Sequence, residues 1–358
     1  MANIFDYLND VAYDSFYDLP VNELDVLALT ELTYLAFDGV VTQKNQRLID
    51  LAPQIPRDTT MLTNKNRLQL LDQLSQHKRF KNCKLSNFIN DIDPELQKQF
   101  AAMTYRISLD TFLLVFRGTD DSIIGWKEDF HMTYMKEIPA QKHALQYLQN
   151  FFAQHPNQKV VIAGHSKGGN LAVYAASQLD PLLQKNIVAV YTFDAPGLHK
   201  ELTETAGYQN MMERTKVFVP QGSIIGMMLE IPDKKIVVRS TALGGLAQHD
   251  TFSWQVEDKH FVQLDETNSD SQQVDTTFKE WVETVPDTEL QLYFDLFFGI
   301  ILDAGISSIN DLSSFKVIEH IHHLFVQAQS LTPEERETMG RLTQLLIDTR
   351  YQAWKNRE

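Results

Sequence analysis

Residues 159–177, KVVIAGHSKGGNLAVYAAS, hold the side chains of this sequence with the plainest chemical purpose. A short apolar run, Val160 to Ala163, breaks at Gly164-His165-Ser166-Lys167-Gly168, and apolar residues then resume at helical spacing as Leu171, Ala172, Ala175 and Ala176. Strand, tight turn and helix in that order around G-x-S-x-G describe a nucleophile elbow, in which the serine sits at a strained corner with its hydroxyl clear of the sheet. Glycines two before and two after the serine let the backbones approach, and the start of the following helix favours negative charge developing beside it. Gly169 adds further room. The chemistry this suits is acyl transfer from a serine, which needs a base, a group to orient the base, and N–H donors aimed at the developing oxyanion.

The elements that must position such a group are legible on either side. Residues 187–193, IVAVYTF, form a continuous apolar, β-branched run expected of a strand buried on both faces, and it ends in Asp194-Ala195-Pro196-Gly197. Residues 215–220 and 235–240 read as further strands, 135–154 as the helix before the elbow strand, and 101–116 as a hairpin feeding a buried strand that ends in Arg117-Gly118-Thr119. Strands alternating with helices predict an α/β fold with a doubly wound, mostly parallel sheet, whose active site lies at the carboxyl ends of its strands. Ser166, Thr119 and Asp194 all fall at such ends. Helical patterns from Val21 to Asp38-Gly39 and over 60–77 make residues 1–100 largely helical cover. Beyond Asp265 a polar stretch, 266–273, reads as a linker into helices at 276–283, 288–304, 313–330 and 333–354. The expected division is therefore an α/β-hydrolase domain over 1–265 and a helical extension over 266–358.

Phe116-Arg117-Gly118-Thr119 at a strand end, followed by Trp126-Lys127-Glu128-Asp129, resembles the class 3 (fungal-type) lipases of the α/β-hydrolase superfamily. The resemblance covers roughly residues 101–255. It implies that Thr119 supplies one oxyanion-hole donor, the amide of Lys167 after the serine being the other. Lys167 replaces the apolar residue usual at that place and would put a cation beside the pocket, solvated or salt-bridged rather than touching substrate. The order expected for the fold is serine, acid, histidine. Histidines after Ser166 are His199, His249, His260, His320, His322 and His323; His249, in a loop just past the last expected strand, is the expected base, with His260 as its rival. Class 3 lipases carry the acid after the penultimate strand, but residues 219–226 contain no carboxylate. Asp194 is the alternative, ahead of Asp250.

The expected activity is a serine carboxylester hydrolase on short- to medium-chain acyl esters, with no cofactor. The other class in view is a degenerate hydrolase fold that binds or regulates, which the vacancy at 219–226 favours. Apolar residues Ile224, Ile225, Met227, Met228 and Leu229 suggest an acyl pocket or lid, or plain core packing.

Composition narrows the partners. Asp and Glu number 47 against 32 Lys and Arg, a formal charge of −15, which disfavours nucleic acid and anionic membranes. The single cysteine, Cys83, excludes an intrachain disulfide. His320, His322 and His323 lack the i, i+4 spacing of a helical zinc pair, so no metal is expected. Residues 290–302 are apolar but interrupted by Asp295 and shorter than the ~20 residues of a membrane span, so they read as a buried helix without stable membrane insertion. Acidic residues in the first fourteen positions argue for a cytoplasmic protein. The C-terminal helices offer a surface for a homo-oligomer.

Overall fold

The computed structural model describes residues 2–42, 44–59, 64–120, 122–232, 234–306 and 326–355. Its frame is a nine-stranded sheet in which eight strands follow sequence order: β1 (Gln46–Arg47), β2 (Lys84–Asp93), β3 (Lys98–Arg106), β4 (Phe112–Phe116), β5 (Val160–His165), β6 (Ile187–Phe193), β7 (Thr215–Pro220) and β8 (Lys235–Val238). The short strand Gln263–Leu264 closes the far edge. Strands β4 to β8 pair in parallel, whereas β1 to β4 and the closing strand pair antiparallel.

Side-chain alternation splits β4 between two cores. Leu113 and Val115 face one cluster and Phe112, Leu114 and Phe116 the other. The first cluster is covered by α1 (Ile4–Asp10), α2 (Glu23–Leu32), the one-turn α3 (Leu48–Leu51) and α4 (Asn64–Gln76). The second is covered by α6 (Pro139–Gln154) and α7 (Lys167–Gln178), which follow α5 (Ile123–His131) and precede the short helices α8 (Pro181–Gln184), α9 (Lys200–Thr203) and α10 (Ala206–Met212). This differs from a doubly wound sheet. Consecutive crossovers that step in one direction with one handedness leave their helices on one face, so the N-terminal helices cover the other.

Smaller differences have local causes. The helix before the elbow begins at Pro139 rather than 135, because a residue with no N–H suits the first helical position. The polar stretch 266–273 is not all linker: Asn268 caps α11 (Ser269–Thr284), and Ser271 Oγ donates to Ser223 O at 2.5 Å. Helix α12 (Asp287–Asp303) is not buried all round. It buries Leu290, Phe294, Phe298 and Ile301 and exposes Leu292, Phe297 and Leu302. The long strand β2 was not legible, because NFINDID carries few apolar residues. Helix 313–330 lies largely outside the described residues, as do His320, His322 and His323.

The C-terminal helices pack on the segment that follows β4. Phe130 of α5 meets Phe294 and Phe298 at ring separations of 4.9 and 5.6 Å, and Trp281 Nε1 donates to Leu342 O of the last helix, Pro333–Lys355. No helix among the described residues is long and apolar enough to cross a membrane.

Candidate active site

Between β5 and α7 the chain turns through Ser166 at φ 56° and ψ −136°, a conformation that costs energy for any residue with a side chain. Close packing holds it there. A Cβ on Gly164 would stand 2.1 Å from Gly168 O, and one on Gly168 the same distance from Phe116 O. The elbow is pinned to its neighbours by Ser166 N–H donating to Phe193 O and Gly169 N–H donating to Ser166 O. Ser166 opens onto a cavity of about 20 Å³ bounded by Trp126, Asp129, Pro196, Met228 and Leu229.

Asp194 follows β6 at φ 44° and is fully buried. One carboxylate oxygen accepts from Ser223 Oγ at 2.5 Å and Gly226 N at 3.1 Å; the other lies 2.7 Å from His249 Nδ1. Residues 219–226, which lack a carboxylate, thus provide a hydroxyl and an amide that grip one from the neighbouring strand. His249 ends the turn Ala247–His249, which Gln248 anchors by accepting from Gly222 N and Trp254 Nε1. The rivals are engaged elsewhere: His260 pairs with Glu23 at 2.7 Å on the surface, and Asp250 caps the turn Thr251–Ser253.

Thr119 and Lys167 both stand beside the serine. A Cβ on Gly118 would stand 2.9 Å from Ser166 Cβ, so the residue after it adjoins Ser166, and Thr119 Oγ1 donates to Asp129 Oδ2 at 2.5 Å. The Lys167 side chain lines the small cavity at Ser166 as one half of an ion pair. It is buried, with Nζ 2.8 Å from Glu128 Oε2 and 3.7 Å from Asp129 Oδ1, and Glu128 also accepts from the amides of Gln99 and Ala140. Burial pushes the Asp129 carboxyl up to about 6, against the pull of Lys167 and Thr119. Removing one partner of a buried pair strands the other charge. Lys167→Met is therefore expected to lower stability by roughly 3–5 kcal/mol in chemical denaturation, with Glu128→Gln added in the double variant restoring most of it. A loss below about 1 kcal/mol would show the pair to be immaterial.

Beneath the elbow lies a network that sequence reasoning missed. His165 Nε2 donates to the backbone oxygen of His249 at 3.0 Å, while its Nδ1 lies 3.1 Å from Tyr34 Oη and 3.4 Å from Glu31 Oε1. The two imidazoles lie 4.4 Å apart. Tyr34 Oη also accepts from Gly118 N, and Glu31 accepts from Arg67 and from Thr251 Oγ1. One buried cluster thus joins α2, α4, the end of β4, the elbow and the histidine loop. A signal was present: Glu31, like Asp25, stands in DVLALTEL, a helix buried all round, where a carboxylate demands partners.

Burial holds His165 down to about 4 from its ordinary 6.5. Between those values the unfolded chain binds a proton that the native state does not, so stability falls as pH drops from 6.5 towards 4. His165→Gln, which keeps a donor, is expected to flatten that part of the stability curve by about 3 kcal/mol. Midpoints of urea unfolding across the range read it directly; an unchanged slope would contradict it.

The profile of the Mbeg1-like family matches residues 74–299, well over half of the chain. The chain belongs to the Mbeg1-like family. No curated protein matches it. Solved structures with similarity include M37 lipase, at 16% identity over 58% of this chain and 70% of that one with a TM-score of 0.37. The Rhizomucor miehei lipase propeptide complex gives 18% identity and a TM-score of 0.33, with 48% of this chain spanning 59% of it. A variant of MDLA from Penicillium cyclopium gives 13% identity and 0.44, over 69% and 87% of the two chains. The Mbeg1-like match runs from within α4 to within α12. It takes in Thr119, Ser166, Asp194 and His249 and leaves Glu31, Tyr34 and Arg67 outside.

Proposed function

We propose that this Mbeg1-like chain is a serine carboxylester hydrolase acting through an acyl-enzyme. The observation that carries the reading is the Asp194 carboxylate 2.7 Å from His249 Nδ1, at the same strand ends as the Ser166 elbow. In this reading Asp194 holds the proton on Nδ1, so Nε2 is the lone pair that takes the Ser166 hydroxyl proton as Oγ attacks the ester carbonyl. The oxyanion is received by the amides of Thr119 and Lys167, the second at the start of α7. His249 then returns the proton to the leaving alcohol, and water repeats the sequence to free the acid.

Asp129 supports this arrangement by fixing the Thr119 side chain. The degenerate-fold reading drew on the missing acid, and Asp194 supplies a carboxylate at His249 from another strand. Met228 and Leu229, apolar residues bordering Ser166, suit short to medium acyl chains. Hydrolysis of p-nitrophenyl butyrate should exceed that of the palmitate in kcat/KM, and a faster palmitate reaction would overturn this preference.

A further inference from the structure

The cavity onto which Ser166 opens, about 20 Å³, is too small to seat an acyl chain. A second cavity of about 660 Å³, within the ~300–1,000 Å³ range of ligand pockets, adjoins it between the loop after β6 and the C-terminal helices. Leu229 lines both. It is also one of the few described non-glycine residues at positive φ, 63°. The backbone on either side is clamped: Gly197 N donates to Met228 O at 2.8 Å, and Leu198 and Glu230 exchange both amide bonds at 3.1 and 3.2 Å. Strain held in place on both sides, at a partition between two spaces, is a feature that packing alone does not require.

We propose that the larger cavity is the acyl-chain site, reached from Ser166 past the Leu229 side chain, and that α11 builds one wall of it. This rests on the hydrolase reading and names the substrate class: neutral esters of medium-chain acids. The chain lies against Leu198, Phe278, Val282, Val285 and Pro286, which supply apolar surface from both sides of the junction. The rim explains why the ligand is a neutral ester rather than a free fatty acid. Glu204, Glu230, Glu283 and Asp287 outnumber Lys200 and Lys279 there, while Glu201 is paired with Lys136 at 2.9 Å. A carboxylate entering the cavity meets that excess of like charge, so the acid product is disfavoured where the ester's alkyl end is accepted.

The test uses the full chain with Ser166→Ala, which retains ester without turning it over. The probe is methyl decanoate carrying a diazirine near its alkyl end; it is irradiated on the protein and the adducts mapped by peptide mass spectrometry. The expected adducts fall on residues 198–204 and 278–287, are displaced by unlabelled methyl decanoate in preference to decanoate, and drop at least tenfold when Val282→Trp fills the cavity. Adducts elsewhere, no saturable adduct, or an undiminished yield in a folded Val282→Trp variant overturns the proposal. If that variant fails to fold, the adduct map of the Ser166→Ala chain decides alone. Failure of the hydrolase reading shows separately, as unsubstituted chain that takes no fluorophosphonate while the adduct map stands.

Discussion

Replacing Ser166 with alanine is expected to lower kcat for p-nitrophenyl butyrate by roughly 10⁵–10⁶, because nucleophile and base act as a unit and removing either member removes the acyl-enzyme route. The fold should survive the change. Ser166 Oγ makes no hydrogen bond among the described residues, and the strained elbow is held by the contacts of Gly164 and Gly168 and by backbone bonds that alanine keeps. Kinetics of the purified variant, with its unfolding midpoint alongside, separate the two effects. A rate within tenfold of the parent, in protein of equal stability, would remove Ser166 from the reaction.

Asp194→Asn is expected to cost about 10⁴ in kcat while leaving KM near its original value. An asparagine fits the same space and its oxygen can still accept from Ser223 and Gly226, so the local structure has reason to persist. What changes is the partner of His249 Nδ1: an amide NH₂ there selects the tautomer with its proton on Nε2, which cannot accept from the serine. Asp194→Ala should cost as much in rate and more in stability, since it leaves the Ser223 hydroxyl and Gly226 amide without their acceptor. An asparagine variant within tenfold of the parent would instead point to a Ser-His dyad.

The elements nearest the chemistry were the most legible in the sequence, for physical reasons. A serine elbow needs glycines at fixed positions, and a buried parallel strand needs an unbroken apolar run, so residues 160–169 and 187–193 announced themselves. Asp194 was readable as a carboxylate at a strand end; that its grip comes from Ser223 and Gly226 was not, because hydroxyls and amides are too common to stand out. The partner of Lys167 was hidden for a related reason. A salt bridge could be expected of a lysine beside an elbow, but only tertiary structure brings Glu128, 39 positions away, to within 2.8 Å. The winding of the sheet depended on strand order, which periodicity does not encode. The cluster of Glu31, Tyr34 and Arg67 joins residues far apart in sequence to the elbow, and only carboxylates in an otherwise apolar helix hinted at it.

The central claim, that Ser166 is an activated nucleophile, is tested most directly by incubating the unsubstituted chain with a fluorophosphonate probe and locating the adduct by peptide mass. The account predicts one covalent adduct on Ser166, absent from Ser166→Ala and strongly slowed in Asp194→Asn. Folded protein that takes no label, or a label that persists in Ser166→Ala, would contradict it.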